Sequence, residues 1–66
     1  MGWHVTATCK QHIDDLALLL AEWPGPVPLA VHVEGETILR SLAPSPQMRS
    51  RLIGIVGEAN VREGPP

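Results

Sequence analysis

The order in which apolar periodicity changes along the chain constrains its fold more than any other feature. Trp3, Val5 and Ala7 alternate with His4, Thr6 and Thr8, the period-two pattern of a strand with one buried face. From Ile13 to Trp23 the period becomes that of a helix, from Val27 to Leu42 it returns to two, and after Ser45-Pro46 it is helical again. A short valine-bearing tail, Asn60-Val61-Arg62-Glu63, closes the pattern. Strand, helix, strand, strand, helix, strand predicts one small α+β domain over residues 1–63, with residues 64–66 as a tail or the start of a linker.

Local signals punctuate each element. Thr8 is placed to cap the first helix, with Gln11 three residues on to complete a capping box, and Asp14 and Asp15 fall early enough to meet the positive end of the helix dipole. Ile13, Leu16, Ala17, Leu20 and Trp23 form one stripe, which predicts the core face. Leu18 and Leu19 lie off it, as flank packing or as the start of a partner surface. Pro24-Gly25-Pro26 stops the helix, the glycine being expected to supply the backbone freedom of a reversal.

In the second strand Val27, Leu29, Val31 and Val33 point one way and Pro28, Ala30, His32 and Glu34 the other. Pro28 has no amide proton, which suits a sheet edge or a strand's start. Glu34-Gly35-Glu36 is a hairpin turn, and Thr37 to Leu42 returns as the third strand. Ser45-Pro46 starts the second helix, whose stripe is Met48, Leu52, Ile55, Val56 and Ala59. Gly54 inside it marks either close backbone approach or simple tolerance. The βαββαβ order is that of the split βαβ, ferredoxin-like folds, and predicts an antiparallel sheet with two helices on one face. In that arrangement the second strand lies at an edge, and the other sheet face, bearing His4, Thr6, His32 and one side of the third strand, stays open.

Size and charge bound the function. At 66 residues a folded chain buries only roughly 60% of its unfolded surface, which leaves little core for a deep active site and favours a partner. The single Cys9 excludes an internal disulfide and agrees with a reducing compartment, so a cytoplasmic location is expected. Five Lys and Arg against seven Asp and Glu provide no basic footprint for a phosphate backbone, and direct nucleic-acid binding is not expected. The apolar run Leu16 to Ala21 is far short of the ~20 residues that cross a bilayer, and no membrane association is expected.

The reactive side chains do not assemble into a chemistry. Cys9-Lys10-Gln11-His12 has a Cys-x-x-His spacing able to bite one Zn²⁺, but a structural site needs four ligands, and His4 and His32 fall on strands not expected to be neighbours. Cys9 near a helix start could carry an activated thiol, yet no carboxylate orients His12, and a small, partly buried structural cysteine is the stronger reading. Asp14 with Asp15 and Glu34 with Glu36 fall at a helix start and a hairpin turn, wet places where solvated surface charge is the reading, whereas acid-base work needs one member desolvated. The glycines form no phosphate-cradling pattern, and without Phe or Tyr the open face lacks the stacking platform of an RNA-recognition sheet. No cofactor and no catalytic residue is expected.

Leu19-Leu20-Ala21-Glu22-Trp23-Pro24-Gly25-Pro26-Val27-Pro28-Leu29, the strand pair, Leu42-Ala43-Pro44-Ser45-Pro46 and Ile55-Val56-Gly57-Glu58-Ala59-Asn60-Val61-Arg62 together resemble the C-terminal domain of bacterial DNA polymerase III alpha subunits. The likeness runs from Trp3 to Glu63 and rests on turn and cap residues. It implies a non-catalytic module of DNA replication that contacts the tau subunit of the clamp loader. An excised domain and a stand-alone small protein, beginning at its own Met1, both remain open. The expected function is protein-protein interaction or self-association, with His4, Thr6, His32 and Arg40 on or near the open face and Leu18 with Leu19 as a second patch. The alternative is a small-molecule-binding regulatory domain acting as a homodimer.

Overall fold

A computed structural model describes residues 2–64. Its elements run β1 (Gly2–Thr6), α1 (Lys10–Glu22), β2 (Val27–Val33), β3 (Glu36–Leu42), α2 (Pro46–Val56), a 3₁₀ turn at Glu58–Asn60, and β4 (Val61–Gly64). The α+β class and the strand-helix-strand-strand-helix-strand order of ferredoxin-like folds are therefore as expected. Gly64, read from sequence as tail, instead pairs with Gly2 in the β4 ladder. Pro65 and Pro66, the rest of that tail or linker, lie outside the described residues.

The sheet itself departs from expectation. Its strand order is β3-β2-β1-β4, with β1 and β2 parallel neighbours and the β2–β3 and β1–β4 pairs antiparallel, so it is mixed and β2 is interior. Pro28 is compatible with that position because the β1 ladder begins one residue later, at Trp3 opposite Leu29, leaving the proline at the strand's start. A parallel neighbour requires a crossover, and α1 supplies it. The unit β3-α2-β4 then carries the chain across both central strands to the far edge.

Period two delivers Trp3, Val5, Leu29, Val31 and Leu42 to one face of the sheet, where Leu16 and Leu19 of α1 and Met48, Leu52 and Val56 of α2 close over them. Leu19 is a correction: it is 0% exposed and belongs to the core, not to a partner surface. Leu16, Leu19, Leu20 and Trp23 also repeat at i, i+3, i+4 and i+7, and this overlapping stripe buries one more leucine than the one through Ala17. Ile13 and Ala17 are left on an exposed flank. Leu18 points outward, 66% exposed.

The caps divide between those legible locally and those not. The Met48 N–H donates to Ser45 Oγ at 3.0 Å with Pro46 at the first helical position, as the Ser-Pro pair requires. At α1 the N-cap is Cys9 rather than Thr8, and His12 reaches back so that its Nδ1 accepts the Thr8 N–H at 3.2 Å. Gln11 turns instead to Asp15, its Nε2 donating to Oδ1 at 2.9 Å. Asn60 Nδ2 donates to the Val56 carbonyl at 2.8 Å, satisfying an orphan acceptor at the end of α2 and fastening the 3₁₀ turn to it. In the hairpin, φ is +75° at Gly35 and not positive at Glu34, the sign pattern of a type II turn. Between the helices Arg51 bonds Glu22 at 3.2 Å and lies 5.7 Å from the centre of the Trp23 ring. Among the described residues no helix is long and apolar enough to cross a membrane.

Gly54 has open space around the position of a Cβ and an ordinary helical φ, so tolerance is the correct reading of it. Gly54→Ala is expected to stabilise the domain by about 1 kcal/mol, since only the helix propensity changes. The urea unfolding midpoint should rise at constant slope; a lowered midpoint would show that the glycine is needed there.

Candidate functional site

With both helices on one side, the other face of the sheet carries His4 and Thr6 from β1, Pro28, Ala30 and His32 from β2, Thr37, Leu39 and Ser41 from β3, and Arg62 from β4. Register explains the set. His4 is opposite Ala30 and Arg62, Thr6 is opposite His32, and His32 is opposite Thr37. The strand order places His4 and His32 on adjacent strands, contrary to the expectation that their strands are not neighbours.

His4 Nδ1 lies 3.2 Å from His32 Nε2, and His32 Nδ1 lies 3.2 Å from Thr37 Oγ1. The two ring centroids are 5.5 Å apart with planes 7° from parallel. A separation that large is reached only when the bonded nitrogens lie on the line between the centroids, so the imidazoles meet edge to edge in one plane rather than face to face. An in-line N–H···N bond needs one donor and one lone pair. It can run from Thr37 toward His4 or in the opposite sense, each sense fixing both tautomers. Two nitrogens aimed at each other cannot also converge on one metal ion without a ring turning.

His4, Thr6 and His32 floor an open concavity of about 570 Å³. Arg62 and Glu63 wall it on the β4 side, and the 3₁₀ turn brings Ala59 and Asn60 to its rim. The site is rich in donors: a guanidinium, two imidazoles, an amide and the Thr6 hydroxyl, while Glu63, opposite Trp3, directs its carboxylate to the helix side and reaches the rim only through the strand. Leu39 stands beside the polar row, 73% exposed. That chemistry can hold a polar or anionic group of a partner while an apolar side chain packs on Leu39.

Of the residues singled out from sequence, His4, Thr6 and His32 come together as expected. Arg40 does not join them. It stands opposite Leu29, and since Leu42, Arg40 and Ile38 share a side of β3, Arg40 is on the helix side at the sheet's edge. Cys9 is a correction as well: it is exposed at the N-cap of α1 rather than partly buried, because the cap position lies beyond the stretch of helix that packs on the sheet. Leu39, Asn60 and Arg62 were missed, because their place depends on which alternation β3 adopts and on how β4 registers with β1. Among the described residues no three His, Cys, Asp or Glu side chains gather as a metal site would require. No family model, curated protein or solved structure matches the chain.

Proposed function

We propose that the chain is a protein-interaction module whose contact surface is the uncovered face of the sheet. The observation that carries this reading is the cross-strand row Thr37, His32, His4 beside the 73% exposed Leu39: an apolar anchor flanked by hydrogen-bonding groups already oriented by one another. Such a combination is the usual anatomy of a contact patch, in which one desolvated side chain supplies affinity and a polar rim supplies register. The resemblance to polymerase III alpha C-terminal domains makes the tau subunit of a clamp loader the first partner to try, and gives the module a role in DNA replication without catalysis.

The test is an amide NMR titration of the labelled chain with the C-terminal domain of a tau subunit. Shifts confined to Thr6, His32, Thr37, Leu39 and Arg62 are the expected result, and Leu39→Ala should weaken binding by roughly tenfold. No shifts anywhere would remove tau as partner; shifts confined to the helices would remove the open face as the surface. A second reading draws on the donor-rich concavity, whose size suits a small anionic ligand. It predicts a thermal shift with a ligand screen of amino acids or nucleotides in the absence of any protein.

A further inference from the structure

We infer that β3 is the contact edge of a homodimer, two copies pairing antiparallel along Glu36–Leu42 about a two-fold axis at Ile38, so that their sheets join into one. This surface is separate from the open face, and either reading can fail without the other.

β3 is an outer strand of seven residues with nothing covering its free side among the described residues, whereas the other outer strand, β4, has four. An uncovered edge of that length is a template for another strand. Arg40 Nη1 donates to the carbonyl of Leu39 at 2.8 Å, which places that carbonyl on the outer side of β3 rather than in the ladder with β2. By alternation Thr37, Leu39 and Ser41 carry the outward N–H and C=O groups.

Charge fixes the occupant. Along the helix side of β3 the order is Glu36, Ile38, Arg40, with opposite charges disposed equally about the isoleucine. Antiparallel pairing centred on Ile38 therefore sets Glu36 of each copy against Arg40 of the other, and brings Thr37 opposite Leu39 so that their outward groups exchange hydrogen bonds. Centring the pair two residues away on either side would put Glu36 against Glu36 or Arg40 against Arg40. The pattern is self-complementary, as an isologous interface requires. Each Arg40 leaves its own Leu39 carbonyl, which then accepts from the second copy, and finds a carboxylate instead.

The apolar surface follows the same axis. Ile13, Ala17 and Leu20 of α1 overhang Ile38 and line a groove of about 100 Å³ along this edge, with Arg40 at its rim and Ile13 39% exposed. Pairing brings the two Ile38 side chains together and joins the two grooves into one apolar seam.

Sedimentation equilibrium of the full chain, from about 1 μM to about 1 mM, tests the proposal. The wild type is expected to pass from monomer to dimer in that range. Arg40→Glu and Glu36→Arg, both at exposed positions, should each weaken the dimer by at least about tenfold while the circular dichroism spectrum stays unchanged. The double variant Glu36→Arg with Arg40→Glu restores opposite charges in the same register and should return the dissociation constant to near the wild-type value. A wild type that stays monomeric overturns the dimer. Single variants that dimerise like the wild type, or a double variant as weak as the singles, overturn the interface.

Discussion

Leu19→Glu is expected to unfold the domain, whereas Leu18→Glu, one position earlier on the same helix, should leave it folded with a nearly unchanged melting temperature. Leu19 is 0% exposed, in the core cluster shared by the sheet and α2, and Leu18, about 100° away around α1, is 66% exposed. Truncating a buried leucine to alanine already costs roughly 2–5 kcal/mol, and a glutamate there must also surrender its hydration or drag the helix off the sheet. A chain of 66 residues has a total stability of roughly 3–10 kcal/mol at typical values per residue, so the substitution consumes most or all of it. Loss of amide dispersion in the NMR spectrum of Leu19→Glu, beside a native spectrum for Leu18→Glu, is the expected pair of results. Native dispersion in both would mean that α1 is rotated from the orientation described above.

The contrast between these two leucines shows where sequence stops being sufficient. Both were off the stripe through Ile13, Leu16, Ala17, Leu20 and Trp23, yet a second stripe through Leu16, Leu19, Leu20 and Trp23 has the same spacing. Periodicity cannot choose between overlapping stripes; what lies on either flank of the helix does, and here α2 stands on the Leu19 side. The same holds in β3, where Leu39 alternates against Ile38 and Leu42, and only the pairing of Leu42 with Val27 assigns the sides. By contrast Ser45-Pro46 and Glu34-Gly35 were read correctly because the physics they express is local: a hydroxyl capping an amide three residues on, and a glycine at positive φ.

Strand order was the costliest unknown for the site. The βαββαβ order does not by itself say whether the second or third strand neighbours the first, and Pro28 suits either an edge or a strand's start. Once β2 lies beside β1, His4 and His32 come within hydrogen-bonding distance and Thr37 is added to their row. Once β3 is the edge, Glu36 and Arg40 change from scattered surface charges into an ordered pair along an open strand. Both candidate surfaces therefore follow from one topological fact, which periodicity along the chain does not contain.

Gly25→Ala is the second substitution expected to have a large effect, a loss of roughly 3 kcal/mol, and its cause is space rather than backbone freedom. The φ of Gly25 is outside the left-handed region, so alanine there meets no left-handed backbone strain. A Cβ at that position, however, would lie 2.6 Å from the Cα, the Cβ and the N of Ala43. Two of those three atoms are backbone, and the Ala43 N–H is held to the Trp23 carbonyl at 2.8 Å, so the neighbour cannot turn aside as a flexible side chain would. Pro24 and Pro26 fix φ on either side of the glycine and stiffen the other wall. Relief must come from parting the α1–β2 and β3–α2 loops, which releases that hydrogen bond and loosens the end of the core around Trp23 and Leu42. Ala43→Gly in the Gly25→Ala background should recover only part of the loss, since it removes the Cβ and leaves the Cα and N in place. Urea unfolding midpoints of the two single variants and the double variant give the coupling directly. A Gly25→Ala midpoint equal to the wild type would refute the close approach of the two loops, and full recovery in the double variant would assign the clash to the Ala43 side chain alone.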